Sequence, residues 1–206
     1  MSIASPHARR GRPRKYEHAS ALDAALTTFW TKGFAGTSLD DLTSAMGMNR
    51  PSIYGAFGNK EALYAAAVEH YVRTVGRTFL EPLSRDGALA DDLDAFYAAV
   101  TGVVTGKHGP LGCIVACTLP SEAETTPAAR QLLAAALTQI DGAVRARLAR
   151  AVEQGELARD TDLRTQAEVV VSGMLALSLR ARAGASRRDL KRLARAFVAT
   201  VAGRRG

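Results

Sequence analysis

Two cysteines, four histidines and one tryptophan in 206 residues leave little for several common kinds of site. The histidines, His7, His18, His70 and His108, are scattered, with no Cys or carboxylate beside them at ligand spacing, so no metal centre is expected. No Gly-rich phosphate loop occurs, and the acidic pair Asp91 and Asp92 reads as helix-start charge; an enzyme and a bound cofactor are therefore not expected. Long apolar runs are missing too. The uncharged stretches 95–106 and 108–121 are short and broken by Gly, Pro and Thr, which argues against a membrane span. With no apolar leader segment, and only Cys113 and Cys117 as thiols, the expectation is a cytoplasmic protein with reduced cysteines.

What is present is a 47% hydrophobic composition, enough to bury a sizeable core in one or two domains, and a net charge of +7. The charge is uneven. Residues 1–15 hold Arg9, Arg10, Arg12, Arg14 and Lys15 and no acid; residues 180–206 hold nine basic residues against Asp189, and the middle is net acidic. Basic ends on an acidic body suit contact with a polyanion. The C-terminal basic run by itself reads as a solvated helix face.

The densest local signal lies in Ser38–Lys60. Ser38 caps a short helix with Leu39, Leu42 and Met46 on one face, and Gly47 stops it. Asn49 caps a second helix with Pro51 in its first turn and Ile53 and Phe57 on its buried side; Gly58 ends it and Asn59 caps a third. Helix, tight turn and two-turn helix is the unit that lays a recognition helix in the DNA major groove. Its outward residues suit that task. Arg50 can reach a guanine edge or a phosphate, Tyr54 a phosphate, Gly55 permits close backbone approach, and Lys60 is placed for a phosphate. The alternative reading is a helical corner with a solvated face.

These residues resemble the N-terminal domain of the TetR family of transcriptional regulators. The resemblance is carried by Phe29-Trp30-Thr31-Lys32-Gly33-Phe34, Thr37-Ser38, Asp41-Leu42, Ala45-Met46-Gly47 and the run from Tyr54 to Leu63 that closes on Lys60-Glu61-Ala62-Leu63. It implies DNA contacts from Thr37, Ser38, Met48, Asn49, Arg50, Pro51, Tyr54, Gly55 and Lys60. Gly55 and Ala56 stand where many members carry an aromatic residue and a His, so fewer side chains reach outward. Upstream, Arg10-Gly11-Arg12-Pro13 resembles the core of an AT-hook, whose two Arg side chains enter a narrow A·T minor groove; an unstructured basic tail is the equal alternative.

No strand pattern appears, and the chain reads as all-α with about nine helices. The expected organisation is a flexible basic arm (1–15), a helix-turn-helix domain (16–62) and a ligand-binding and dimerisation domain (63–206). Capping and stop residues predict helices over 16–32 and 59–79, then 91–105, 111–119, 127–154, 162–182 and 186–202. The stripes Val170, Met174, Leu177, Ala181 and Leu190, Leu193, Phe197, Val201 either seal the core or, as the resemblance implies, pair with a second copy in a four-helix bundle; the homodimer is the favoured reading.

The resemblance further implies a small-molecule inducer in the body, with Phe96, Tyr97, Val100, Cys113, Cys117 and Met174 as cavity candidates, and a palindromic double-stranded operator as the second partner. The functional expectation is a ligand-responsive repressor. One alternative is a regulator that senses oxidants or electrophiles through Cys113 or Cys117, although both thiols read more simply as small buried residues. Alternatives of other classes are an architectural DNA-binding protein that uses the Arg-Gly-Arg-Pro arm without a ligand, and a ligand-binding module with a vestigial helix-turn-helix.

Overall fold

The computed structural model describes residues 15–107 and 111–203, and all regular structure among them is helical. Ten α-helices follow one another: Lys15–Gly36 (α1), Leu39–Met46 (α2), Arg50–Phe57 (α3), Lys60–Leu80 (α4), Leu89–Gly102 (α5), Ile114–Cys117 (α6), Leu119–Glu122 (α7), Pro127–Glu153 (α8), Leu163–Arg182 (α9) and Arg187–Ala202 (α10). A 3₁₀ turn at Glu81–Ser84 follows α4, and a π-helical turn at Val103–Lys107 follows α5. The basic arm up to Arg14, including Arg10 and Arg12, lies outside the described residues, whereas Lys15 begins α1.

The first four helices share a core built from the sequence periodicity. Leu22, Leu26, Phe29 and Trp30 of α1 meet Leu42 of α2, Ile53 of α3 and Leu63, Tyr64 and Tyr71 of α4, all buried. Phe29 meets Tyr64 edge-on at 5.0 Å and Trp30 meets Tyr71 edge-on at 5.3 Å. Each such aromatic pair adds roughly 1 kcal/mol beyond the area it buries. The same apolar cluster continues without a break into the body, through Phe79, Phe96, Leu148, Met174 and Val198. The 21-residue α4 belongs to both parts, because its first turns pack under α1 and its last turns reach α5 and α8.

Two expectations are corrected. The single helix over 111–119 is instead an extended entry and two one-turn helices, α6 and α7. Gly112 takes φ 88°, outside the helical region, so the chain is not helical at that point, and a Cβ there would sit 2.6 Å from Cys117 Sγ and 3.2 Å from the Ser178 carbonyl. Pro120, in the first turn of α7, has no N–H with which to continue α6. Second, Asp92 is more than a helix-start charge. It is buried and accepts from Arg147 Nε at 2.6 Å, while Arg147 also donates to Glu156 at 3.1 Å and to the Gly87 carbonyl at 2.8 Å. Glu156 in turn accepts from the Leu89 backbone N–H at 2.6 Å. This network joins the start of α5, the end of α8 and the loop after it, at the end of the body where α4 finishes. Asp91, its neighbour, is exposed in the first turn of α5, in keeping with a helix-start charge.

The stripes read for dimerisation are mostly interior: Val170, Met174, Leu177, Ala181, Leu190 and Val201 are buried within the chain, and Leu193 and Phe197 half-buried. The close approach behind this is visible at Gly173, where a Cβ would lie 2.6 Å from Tyr97 Oη and 2.8 Å from the Phe197 ring. The apolar surface left partly outside on α9 includes Val169, Leu175, Ala176 and Leu179, the last 55% exposed, with Leu193, Ala196 and Phe197 on α10.

Candidate nucleic-acid interface

The helix-turn-helix is fixed by caps at every end. Ser38 Oγ accepts from the Asp41 N–H at 3.1 Å, and Asp41 returns the favour by accepting from the Ser38 N–H at 2.9 Å, a reciprocal capping box. Lys32 Nζ lies 2.6 Å from the same carboxylate. The Lys32 hydrogen bond, followed by those from Ser38, pulls the half-buried Asp41 carboxyl down to about 2. Gly47 at φ 63° closes α2, and Asn49 Oδ1 caps α3 by accepting from Ser52 N–H at 2.9 Å. Gly58 N–H then donates to the Tyr54 carbonyl at 2.9 Å, and Asn59 caps α4 through Ala62 N–H at 2.7 Å. Each such cap is worth about 1 kcal/mol, so the angle between α2 and α3 is set by local chemistry as well as by Leu42 and Ile53 beneath.

With Ile53 turned inward, α3 presents Arg50, Pro51, Tyr54 and Gly55 to solvent, and Tyr54 is 45% exposed. Gly55 has open space where a side chain would stand. Ser38 and Asn49 are exposed at the cap positions, and Met48 is half-buried against the core. Lys60 is half-buried with its ammonium 4.5 Å above the Phe34 ring, a cation–π contact that holds it at the foot of α4. Thr37 departs from expectation. It is 1% exposed and donates to the Gly33 carbonyl at 2.6 Å, so it shapes the turn before α2 and is not available as a side-chain contact.

Several roles that matter here were not read from sequence. Asp41 had a signal, since Ser-x-x-Asp before an apolar helix is a capping-box pattern. Asp40 had none: its carboxylate sits 2.8 Å from Arg50 Nη2, an exposed pair across the turn. Glu122 had none either. It accepts from the Phe34 backbone N–H at 2.8 Å, and Gly33, at φ 73°, leaves the space for its carboxylate that a Cβ would fill. This tie fastens the end of α1 to α7, and so the reading unit to the body.

The expected body cavity is closed. Phe96, Tyr97, Val100, Cys113 and Met174 are buried core residues, and the cavity at Val100, Cys113 and Met174 is about 10 Å³, no more than a single water needs. Tyr97 spends its hydroxyl on the Val170 carbonyl at 2.9 Å. The thiol-sensor alternative fares no better. Burial pushes the Cys113 thiol up, Tyr71 Oη donates to its sulfur at 3.3 Å, and the half-buried Cys117 points to the Ser178 carbonyl at 3.7 Å. A reactive cysteine requires a stabilised thiolate, and the environment of Cys113 favours the thiol.

What the arrangement offers is a short, doubly capped helix with a small outer face, flanked by Arg50 and Lys60: a shape for a groove and charges for phosphates. Comparison with known proteins gives the same picture. Residues 21–67 match the family described as "Bacterial regulatory proteins, tetR family", and residues 90–197 match "Tetracyclin repressor-like, C-terminal domain". The HTH-type transcriptional repressor ComR of Escherichia coli K12 is 32% identical over 197 residues, covering 90% of this chain and 89% of that protein. The uncharacterized HTH-type transcriptional regulator YezE of Bacillus subtilis 168 is 27% identical, covering 89% of this chain and 93% of its own. Among solved structures, a cysteine mutant of the TetR family transcriptional regulator CifR complexed with 26-bp double-strand operator DNA superposes with a TM-score of 0.79 at 30% identity, covering 91% of this chain and 98% of the other.

Proposed function

The chain belongs to the TetR family of bacterial transcriptional regulators, and from that membership we propose that it is a ligand-responsive repressor which binds a palindromic operator as a homodimer and releases it on taking up a small molecule. The observation that carries the reading is the outward side of α3. Arg50, Tyr54 and Gly55 face solvent from a helix held at both ends by caps and from beneath by Ile53. ComR, a relative of this chain, is named a repressor, and CifR, a structural neighbour, binds operator DNA.

In the mechanism each protomer places one α3 in the major groove, with Arg50 reaching base edges or phosphate and Tyr54 and Lys60 on the backbone. Two heads a helical turn or a multiple of it apart gain specificity that one lacks. The apolar surface at Val169, Ala176 and Leu179 is where the second copy sits. Release is a population shift: the ligand favours a setting of α4 that spoils the spacing of the heads. Glu122 and Gly33 pass that movement to the end of α1.

The test is affinity for a duplex selected from a random pool. Arg50→Ala or Tyr54→Ala lowers operator affinity at least tenfold while the melting temperature stays put. If both variants bind as wild type does, α3 is not the reading helix.

A further inference from the structure

Between α4 and α8 the surface opens into a groove of about 460 Å³. Its buried and half-buried lining is apolar, with Val68 and Val72 from α4 and Leu132 and Ala136 from α8. Its exposed lining carries Arg73 and Arg77 on α4, with Glu69 one turn before them and Gln139 across on α8. Neither arginine has an ionic partner among the described residues, so both charges are free to meet an anion.

We propose that this groove binds a small amphipathic carboxylate, its hydrocarbon chain on the apolar lining and its head group between Arg73 and Arg77. The volume falls within the range of roughly 300–1,000 Å³ usual for small-molecule sites. Arginines four residues apart are separated by about 6 Å along the helix, close enough for both guanidinium groups to meet one carboxylate. A neutral chain would gain only the apolar contact and leave both charges solvated. A cation would face two positive groups and one negative. Glu69 repels an anion from its own end, so the head lies toward Arg77 and the chain toward Val68 and Leu132.

The groove also lies where an occupant can act. Its α4 side is the helix that runs from the reading unit into the body, and its α8 side belongs to the body alone. Binding needs nothing from operator recognition; only its consequence for DNA rests on the regulatory reading above.

The experiment is calorimetric titration of the full-length protein, free of DNA, with dodecanoate, dodecanol and dodecylammonium. The expected result is one dodecanoate per chain, with each of the other two probes at least tenfold weaker. The double variant Arg73→Ala/Arg77→Ala weakens dodecanoate at least tenfold, and Val72→Trp, which fills the groove, removes binding. Circular dichroism and melting of both variants check that the fold is intact. No dodecanoate binding up to about 1 mM, equal affinity for all three probes, or an unchanged double variant overturns the proposal. Addition of dodecanoate to the operator complex is the second readout: release from wild type and not from Val72→Trp supports coupling through α4. Binding without release upholds the site and overturns the coupling.

Discussion

Arg50 Nη2 lies 2.8 Å from Asp40 Oδ1, so the cation at the head of the recognition helix is held, in the free protein, by a carboxylate on the preceding helix. Both side chains are more than half exposed, and such a pair is worth under about 1 kcal/mol. DNA can therefore displace Asp40 cheaply, but until it does Arg50 is aimed and partly neutralised. Asp40→Ala removes both effects. Affinity for random duplex rises about two- to fivefold, by the scale of an exposed pair, and the ratio of operator to random binding falls. Competition binding at one fixed salt concentration measures the two together.

Gly55 sits in the middle of α3 with open space at its Cβ position. Glycine in a helix interior costs about 0.5–1 kcal/mol relative to alanine, and nothing in the fold requires it here. Gly55→Ala raises stability by that amount in urea unfolding. If close approach of the α3 backbone to DNA is what the glycine serves, the same change lowers operator affinity. A gain in stability with no loss of affinity would mean that α3 does not approach that closely.

Arg147 is 1% exposed and its charge is answered by Asp92 and Glu156. Removing Asp92 leaves a buried cation with only the partly exposed Glu156 and a carbonyl for partners. Asp92→Ala destabilises the protein by about 3–5 kcal/mol, the usual cost of orphaning a buried charge, whereas Arg164→Ala, which breaks an exposed pair on α9, costs under about 1 kcal/mol. Thermal melting of the two variants side by side distinguishes them.

The parts legible in the sequence are those governed by local chemistry. Ser38, Gly47, Asn49, Pro51 and Gly58 mark the ends of α2 and α3 because capping and glycine geometry act within a few residues. The apolar spacing of Leu42, Ile53 and Leu63 marks the faces that α1 covers. Most of the misreadings involve partners distant in the chain, although Thr37 bonds only four residues back. Thr37 resembles a DNA contact until Gly33 is seen to take its hydroxyl. Asp92 looks like a helix start until Arg147, 55 residues on, is seen beside it. The stripe at Val170, Met174 and Leu177 has the period of an interface, but period alone does not say which neighbour covers it, and α5, α6, α8 and α10 all pack on α9 within the same chain. The cavity candidates failed for the same reason: large apolar residues line a pocket or fill it, and here they fill it.

Leu179 is the most exposed large apolar residue of the body described. In the homodimer proposed above, the uncovered leucine in a row with Val169 and Ala176 is where the second copy is buried. Leu179→Glu places charges at that contact and shifts the protein toward monomer in sedimentation at micromolar concentration, with no loss of helix content. Operator affinity falls with it, because a single head keeps only half of the contacts.

In the complex proposed above, two copies of α3 read one operator from the same face of the duplex. Hydroxyl-radical footprinting of the selected duplex tests it most directly. The expected pattern is two protected patches with their centres about 34 Å apart, one helical turn, or a multiple of it, related by the operator's two-fold symmetry and both lost in Arg50→Ala. Uniform protection along the fragment, or a pattern unchanged by Arg50→Ala, would contradict it.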